Sequence, residues 1–186
     1  MSRKVVFFDA CVLFPQSVRD ISLQFAVDSF YQAKWSELAE QQFVKNVGLK
    51  YPNTKGKLGR TVSLMRNVVP DYLAQATQET IAVVQPTKTD PGDVEILAAA
   101  IDANCTHLVT YNLKDFDIAF AAGRAVKVLH PDEFFFEVIS EDLNAAKASF
   151  QKAVDRTAKP PRTYAEYCDG LRKNSLIKTA EILLSL

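Results

Sequence analysis

The chain has 186 residues, 48% hydrophobic and 24% charged, with 22 basic residues balancing 22 acidic ones. That length carries one well-cored domain plus an appendage, and the composition excludes a disordered or fibrous chain. A net charge of zero leaves no global field to draw the molecule to nucleic acid, so any such attraction has to be local. No run of 18 or more apolar residues occurs, and MSRK leads directly into a short apolar segment, so a cytoplasmic protein with no membrane partner is expected. Cys11, Cys105 and Cys168 lack metal-ligand spacing and are odd in number, which argues against a disulfide framework; Cys11 and Cys105 read as core packing.

In chain order, residues 4–8 read as a short strand buried on both faces, and Asp9 ends it. An acid directly after a buried strand must be solvated, paired or metal-bound, because an isolated buried carboxylate is costly. Pro15 and Ser17 precede a helix expected to run to about residue 29, with Ser17 and Asp20 placed like a capping box. Ser36 caps the next helix, where Glu37 and Glu40 complement the first-turn dipole. Between residues 41 and 70 stand Lys45, Lys50, Lys55, Lys57, Arg60 and Arg66 with no acid among them. KYPNTKGKLGR reads as a loop with Gly56 and Gly59, able to follow a phosphate backbone or an acidic partner, or simply a solvated basic surface.

Pro70 is expected to start a short helix and residues 81–84 to form a strand. The central stretch, DPGDVEILAAAIDANCTHLVTYNLKDF, begins with backbone-breaking Pro91 and Gly92. Asp93 opens an Ala-rich helix to about residue 103, a buried strand follows at 106–110, and Asn112 and Asp115 come just after it. Asp93 and Asp115 could merely serve helix N-termini. They could also face one crevice with Asp9, because loops after the carboxyl ends of parallel strands line one edge of a sheet. A further strand is expected at 125–129, with His130 and His107 structural. A helix from Ser140 to about residue 156 precedes a linker at Lys159, Pro160 and Pro161, and two short amphipathic helices occupy 163–171 and 175–184. These last have too few apolar residues for a core of their own, so they must pack on the main domain, on a second copy in a homodimer, or on a partner.

The ordered set FFDACVLFPQSVRD, WSE, DPGDVEILAAAI and LVTYNLKDF resembles the PIN-domain nucleases, and within them the VapC-like toxins of toxin–antitoxin systems. KPPRTYAEYCDGLRKNSLIKTAEIL is similar to the C-terminal extension of some of these toxins. The resemblance implies an α/β fold, a three-layer α/β/α PIN-like domain with a parallel central sheet over residues 1–138, and a C-terminal helical extension over 139–186. It also implies a metal-dependent endoribonuclease with an antitoxin partner. Two positions depart from the pattern: Gln42 stands where the family carries Glu, and Asn112 where related domains often carry Asp.

Mg²⁺ or Mn²⁺ takes oxygen ligands and keeps several waters, which Asp9, Asp93 and Asp115 would supply, with Asn112 as a neutral oxygen and Glu37 as a further acid. The basic residues from Lys45 to Arg66 would contact RNA or a partner. The other readings are a PIN fold that binds RNA or protein without cutting, supported by Gln42, and a receiver-type module. The latter needs a Lys at a late strand end, whereas Lys127 lies inside its strand. No P-loop, GxGxxG or Ser/His/Asp pattern occurs.

Overall fold

The computed structural model describes residues 4–157 and 161–185. The expected linker residues Lys159 and Pro160 lie outside the described residues. Four short strands, β1 (Val5–Phe8), β2 (Gln32–Lys34), β3 (His107–Val109) and β4 (Lys127–Leu129), form one all-parallel sheet in the order β2-β1-β3-β4. Val6, Phe7 and Phe8 are completely or almost completely buried, as an apolar run in a sheet covered on both faces requires. The helices are α1 (Ala10–Leu13), α2 (Gln16–Val27), α3 (Glu37–Lys50), α4 (Lys55–Val68), α5 (Gln78–Val84), α6 (Val94–Asp102), α7 (Ile118–Gly123), α8 (Pro131–Glu141), α9 (Leu143–Asp155), α10 (Tyr164–Lys173) and α11 (Ile177–Leu184). Together they flank the sheet as a three-layer α/β/α fold with C-terminal helices.

From β1 the chain crosses to β2 on one side, then returns to lay β3 against the other side of β1. The carboxyl ends of β1 and β3 therefore bound a topological switch point, where open α/β sheets form their crevice. Asp9 and Thr110, the residues that leave these strands, are placed there by the pairing of Phe8 with Val109.

Several expectations are corrected. The KYPNTKGKLGR segment is not a loop: a 3-10 turn at Pro52–Thr54 leads into α4, which contains Gly56 and Gly59. Leu58 and Met65 are buried and Val62 is partly buried against the same core, and this helical period outweighs the cost of two glycines. Residues 81–84 end helix α5 rather than form a strand, because Thr77 caps it by accepting from the Thr80 amide. Pro70 starts no helix. Ser17 does not cap α2, whose N-cap is Pro15 with no side-chain bond. Ser140 lies near the end of α8, not at a helix start, and Asp142 caps α9 instead. β2 and α8 were not expected at all.

The C-terminal helices complete the main core rather than form one of their own. Phe134 and Phe135 of α8 pack on Phe8 of β1, and Phe150 of α9 meets Tyr164 and Tyr167 of α10 edge-on. Asp132 ties α8 to α11, its carboxylate accepting from the amides of Lys178 at 3.0 Å and Thr179 at 2.8 Å.

Candidate active site

Asp9 is 4% exposed. Its Oδ2 accepts from the Thr110 hydroxyl at 2.7 Å and from the Cys11 thiol at 3.0 Å. Thr110 in turn accepts the Asn112 amide at 3.0 Å, so one buried hydroxyl sets both the Asp9 carboxylate and the chain leaving β3. Cys11 was expected as core packing. It does pack against the core, but its thiol also lies beside Asp9, and burial with the neighbouring carboxylate pushes its pKa up to about 12. It is a neutral donor, not a reactive thiolate.

Asp93 stands at the N-cap of α6, yet its side chain accepts no capping bond. The cap of α7 is Asp117, which accepts from the Phe120 amide, and not Asp115. Neither the Asp93 nor the Asp115 carboxylate has the helix-capping use that the sequence left open. The loop before α6 is pinned to the loop after β3: the Asp90 amide donates to the Asp115 carbonyl at 2.7 Å, and the Asp117 amide to the Thr89 hydroxyl at 3.1 Å. These bonds bring Asp93 and Asp115 to one edge, where the charges of Asp9 and Asp115 both act on Asp93. Half-buried Asp93 is pushed up to about 6, first by loss of water and then by the charges of Asp9, Asp115 and Asp90.

Asp90 is the member that sequence reasoning missed. Its Oδ1 accepts from the Gly92 amide at 2.8 Å, which orders the turn before α6. Its position two residues before a glycine is the signal of such a turn, but nothing local shows that the turn folds against Asp115.

Glu37 is not brought into this group. It is exposed on the first turn of α3, and its charge acts on Arg66. Glu40 is buried under the same arginine, accepting from Arg66 Nη2 at 2.5 Å and Nε at 3.1 Å. Gln42 is half-buried on α3. Of the basic residues, Lys45, Lys50, Lys57 and Arg60 are exposed, Arg66 is held by Glu40, and the Lys55 side chain lies outside the described residues. His130 is structural, as expected: it caps α8, its Nδ1 accepting from the Asp132 amide at 3.2 Å.

Among the described residues, no three Asp, Glu, His or Cys side chains stand close enough to form a ready-made metal cage. The donor set is nonetheless all oxygen, and Mg²⁺ characteristically uses one or two carboxylates and keeps its waters. Asp9, Asp93 and Asp115 are oxygen donors of the kind such an ion takes. Among the described residues no helix is long and apolar enough to cross a membrane.

Residues 131–185 match the family model described as the VapC50 C-terminal domain. The chain is also 34% identical over 79 residues to the protein named "Putative ribonuclease VapC50" of Mycobacterium tuberculosis, an alignment covering 42% of this chain and 47% of that one. The chain thus spans about half the length of the curated relative it matches. No solved structure matches it. Both likenesses are to VapC50, one over the C-terminal helices and the other over less than half of the chain, and together they support a kinship with the VapC-like proteins.

Proposed function

We propose that the protein is a divalent-metal-dependent endoribonuclease and the toxin of a toxin–antitoxin pair. The observation that carries this reading is the convergence of Asp9, Asp90, Asp93 and Asp115 at the switch point, felt at Asp93 as a carboxyl raised to about 6. Like charges that act on one carboxyl in this way are relieved by a cation. Asp9 and Asp93 would hold Mg²⁺ or Mn²⁺, and Asp115 would reach it through water. When bound, such an ion polarises the scissile phosphate and makes the attacking water more acidic. The chain's own part is positional: Thr110 and Cys11 fix the Asp9 carboxylate, while Asp115 and the exposed Asn112 amide orient the attacking water. RNA is the proposed substrate, and a cognate antitoxin protein the proposed partner.

The test is cleavage of a mixed RNA pool with Mn²⁺. Asp9→Asn and Asp93→Asn should each reduce the rate by at least about tenfold, since each removes a charged ligand. The same substitutions should abolish the rise in melting temperature that Mn²⁺ gives the parent protein, about 2.7 kcal/mol of stabilisation at a hundredfold excess over Kd. Equal cleavage by parent and both variants would overturn the assignment.

A second reading, a PIN fold that binds RNA or protein without cutting, is favoured by one observation. Glu40, a nearby acid on the helix that carries Gln42, is already committed to Arg66, so α3 adds no evident carboxylate to the cluster. RNA binding that survives in the absence of any metal-dependent cleavage would select it.

A further inference from the structure

A groove of about 1000 Å³ lies outside the carboxylate cluster, between the start of α2, the α3–α4 junction and α10. Both of its walls are tied to the cluster. Phe14 follows the single turn of α1 that begins beyond Asp9. On the opposite wall the Asn174 carbonyl accepts the Tyr111 hydroxyl at 2.8 Å, and Tyr111 stands between Thr110 and Asn112.

The charge of this groove is one-sided. Lys50 and Lys57 come from one wall and Arg162 and Lys173 from the other; all are exposed, and none is in an ion pair among the described residues. The two acids on the lining are engaged: Glu166 closes the capping box with Thr163, and Asp169 pairs with Arg172 at 2.8 Å. Between the cations lies an aromatic shelf. The rings of Phe14 and Tyr51 stack at 6.3 Å and 27°, with Lys50 Nζ 5.3 Å and 5.8 Å from their centroids, and Tyr51 remains 50% exposed.

We infer that this groove takes the single-stranded RNA flanking the cleaved bond, its phosphates on Lys50, Lys57, Arg162 and Lys173 and a base on Tyr51. The identity of the strand rests on the ribonuclease reading. Acidic side chains would satisfy the cations but offer no ring to stack on Tyr51, whereas cations on both sides of an exposed aromatic surface are the make-up of single-strand sites. The C-terminal segment thereby acquires a role beyond closing the core: α10 supplies Lys173, and the chain just before its Thr163 cap supplies Arg162.

The test uses a fluorescein-labelled mixed-sequence RNA and anisotropy, in an Asp9→Asn background so that cleavage does not intervene. Combined Lys57→Glu and Lys173→Glu should weaken binding at least about tenfold and flatten the slope of log K against log salt by about 1.4, two single-strand phosphate contacts at about 0.7 each. Tyr51→Ala should weaken it about fivefold or more. Lys57→Arg with Lys173→Arg should bind like the parent. All three positions are exposed, so melting temperatures should not move; should the double Glu variant fail to fold, Tyr51→Ala and single Lys57→Ala carry the same test.

Unchanged binding, or weaker binding with an unchanged salt slope, overturns the inference. So does polyglutamate that binds as tightly as RNA and is lost in the same variants, which would make the groove a protein site. The two readings fail separately. Groove-dependent binding without cleavage by the parent sinks only the nuclease, whereas cleavage that needs Asp9 and Asp93 but ignores the groove variants sinks only the groove.

Discussion

At the scale of single residues, Thr110 decides more than its neighbours. Its hydroxyl is fully buried, donates to Asp9 and accepts from Asn112, so Val at this position keeps the shape but leaves a carboxylate oxygen short of a donor and an amide without an acceptor. Thr110→Val should cost about 1–3 kcal/mol of stability and slow RNA cleavage with little change in KM. Urea unfolding and steady-state kinetics measure the two effects. A loss of stability with full activity would show that Asp9 needs no orientation from β3. Asp9 itself was legible in the sequence, because an acid ending a buried strand has few roles open to it. The Cys11 thiol beside it was not, since core packing and a hydrogen bond to a carboxylate leave the same letter in the sequence.

Among the elements, α11 has no capping side chain at its own N-cap, Leu176, and borrows Asp132 from α8 instead. Asp132→Ala should therefore destabilise the protein by about 1–2 kcal/mol, the usual cost of a lost cap, and raise amide exchange at Lys178 and Thr179. Exchange unchanged at these two amides would mean that α11 is held by packing alone. Of the elements themselves, β1, β3 and α6 were legible because their apolar runs coincide with breakers such as Pro91 and Gly92. The run IAVV at 81–84 was misread since four apolar residues fit either period, while in α4 the glycines concealed the spacing of Leu58, Val62 and Met65. β2, with Gln, Ala and Lys, is a strand solely because β1 lies beside it.

For the whole molecule, the single core is the governing fact. Tyr167, Leu171, Leu176 and Leu183 of the C-terminal helices are fully or nearly fully buried in the same cluster as the strand residues Phe7 and Leu108. Each such side chain contributes roughly 1.5–3 kcal/mol, so together they rival the whole stability of an ordinary domain. A chain ending at residue 157 should aggregate or unfold without a cooperative transition, as size-exclusion chromatography and urea titration would show. A soluble, cooperatively folding truncation would instead show that the core closes without α10 and α11.

Local sequence by itself determined the buried strand that ends at Asp9, the Ala-rich helix that Asp93 opens and the strand that precedes Asn112 and Asp115, because burial period, chain breakers and charge placement act over a few residues. Tertiary structure alone decided that Asp90 joins those acids, that Glu40 is spent on Arg66, and that Lys57 and Lys173 face one groove. These are facts of distance between segments far apart in the chain. They follow from how β3 returns to β1 and how α10 docks beside α2, which no local pattern of residues encodes.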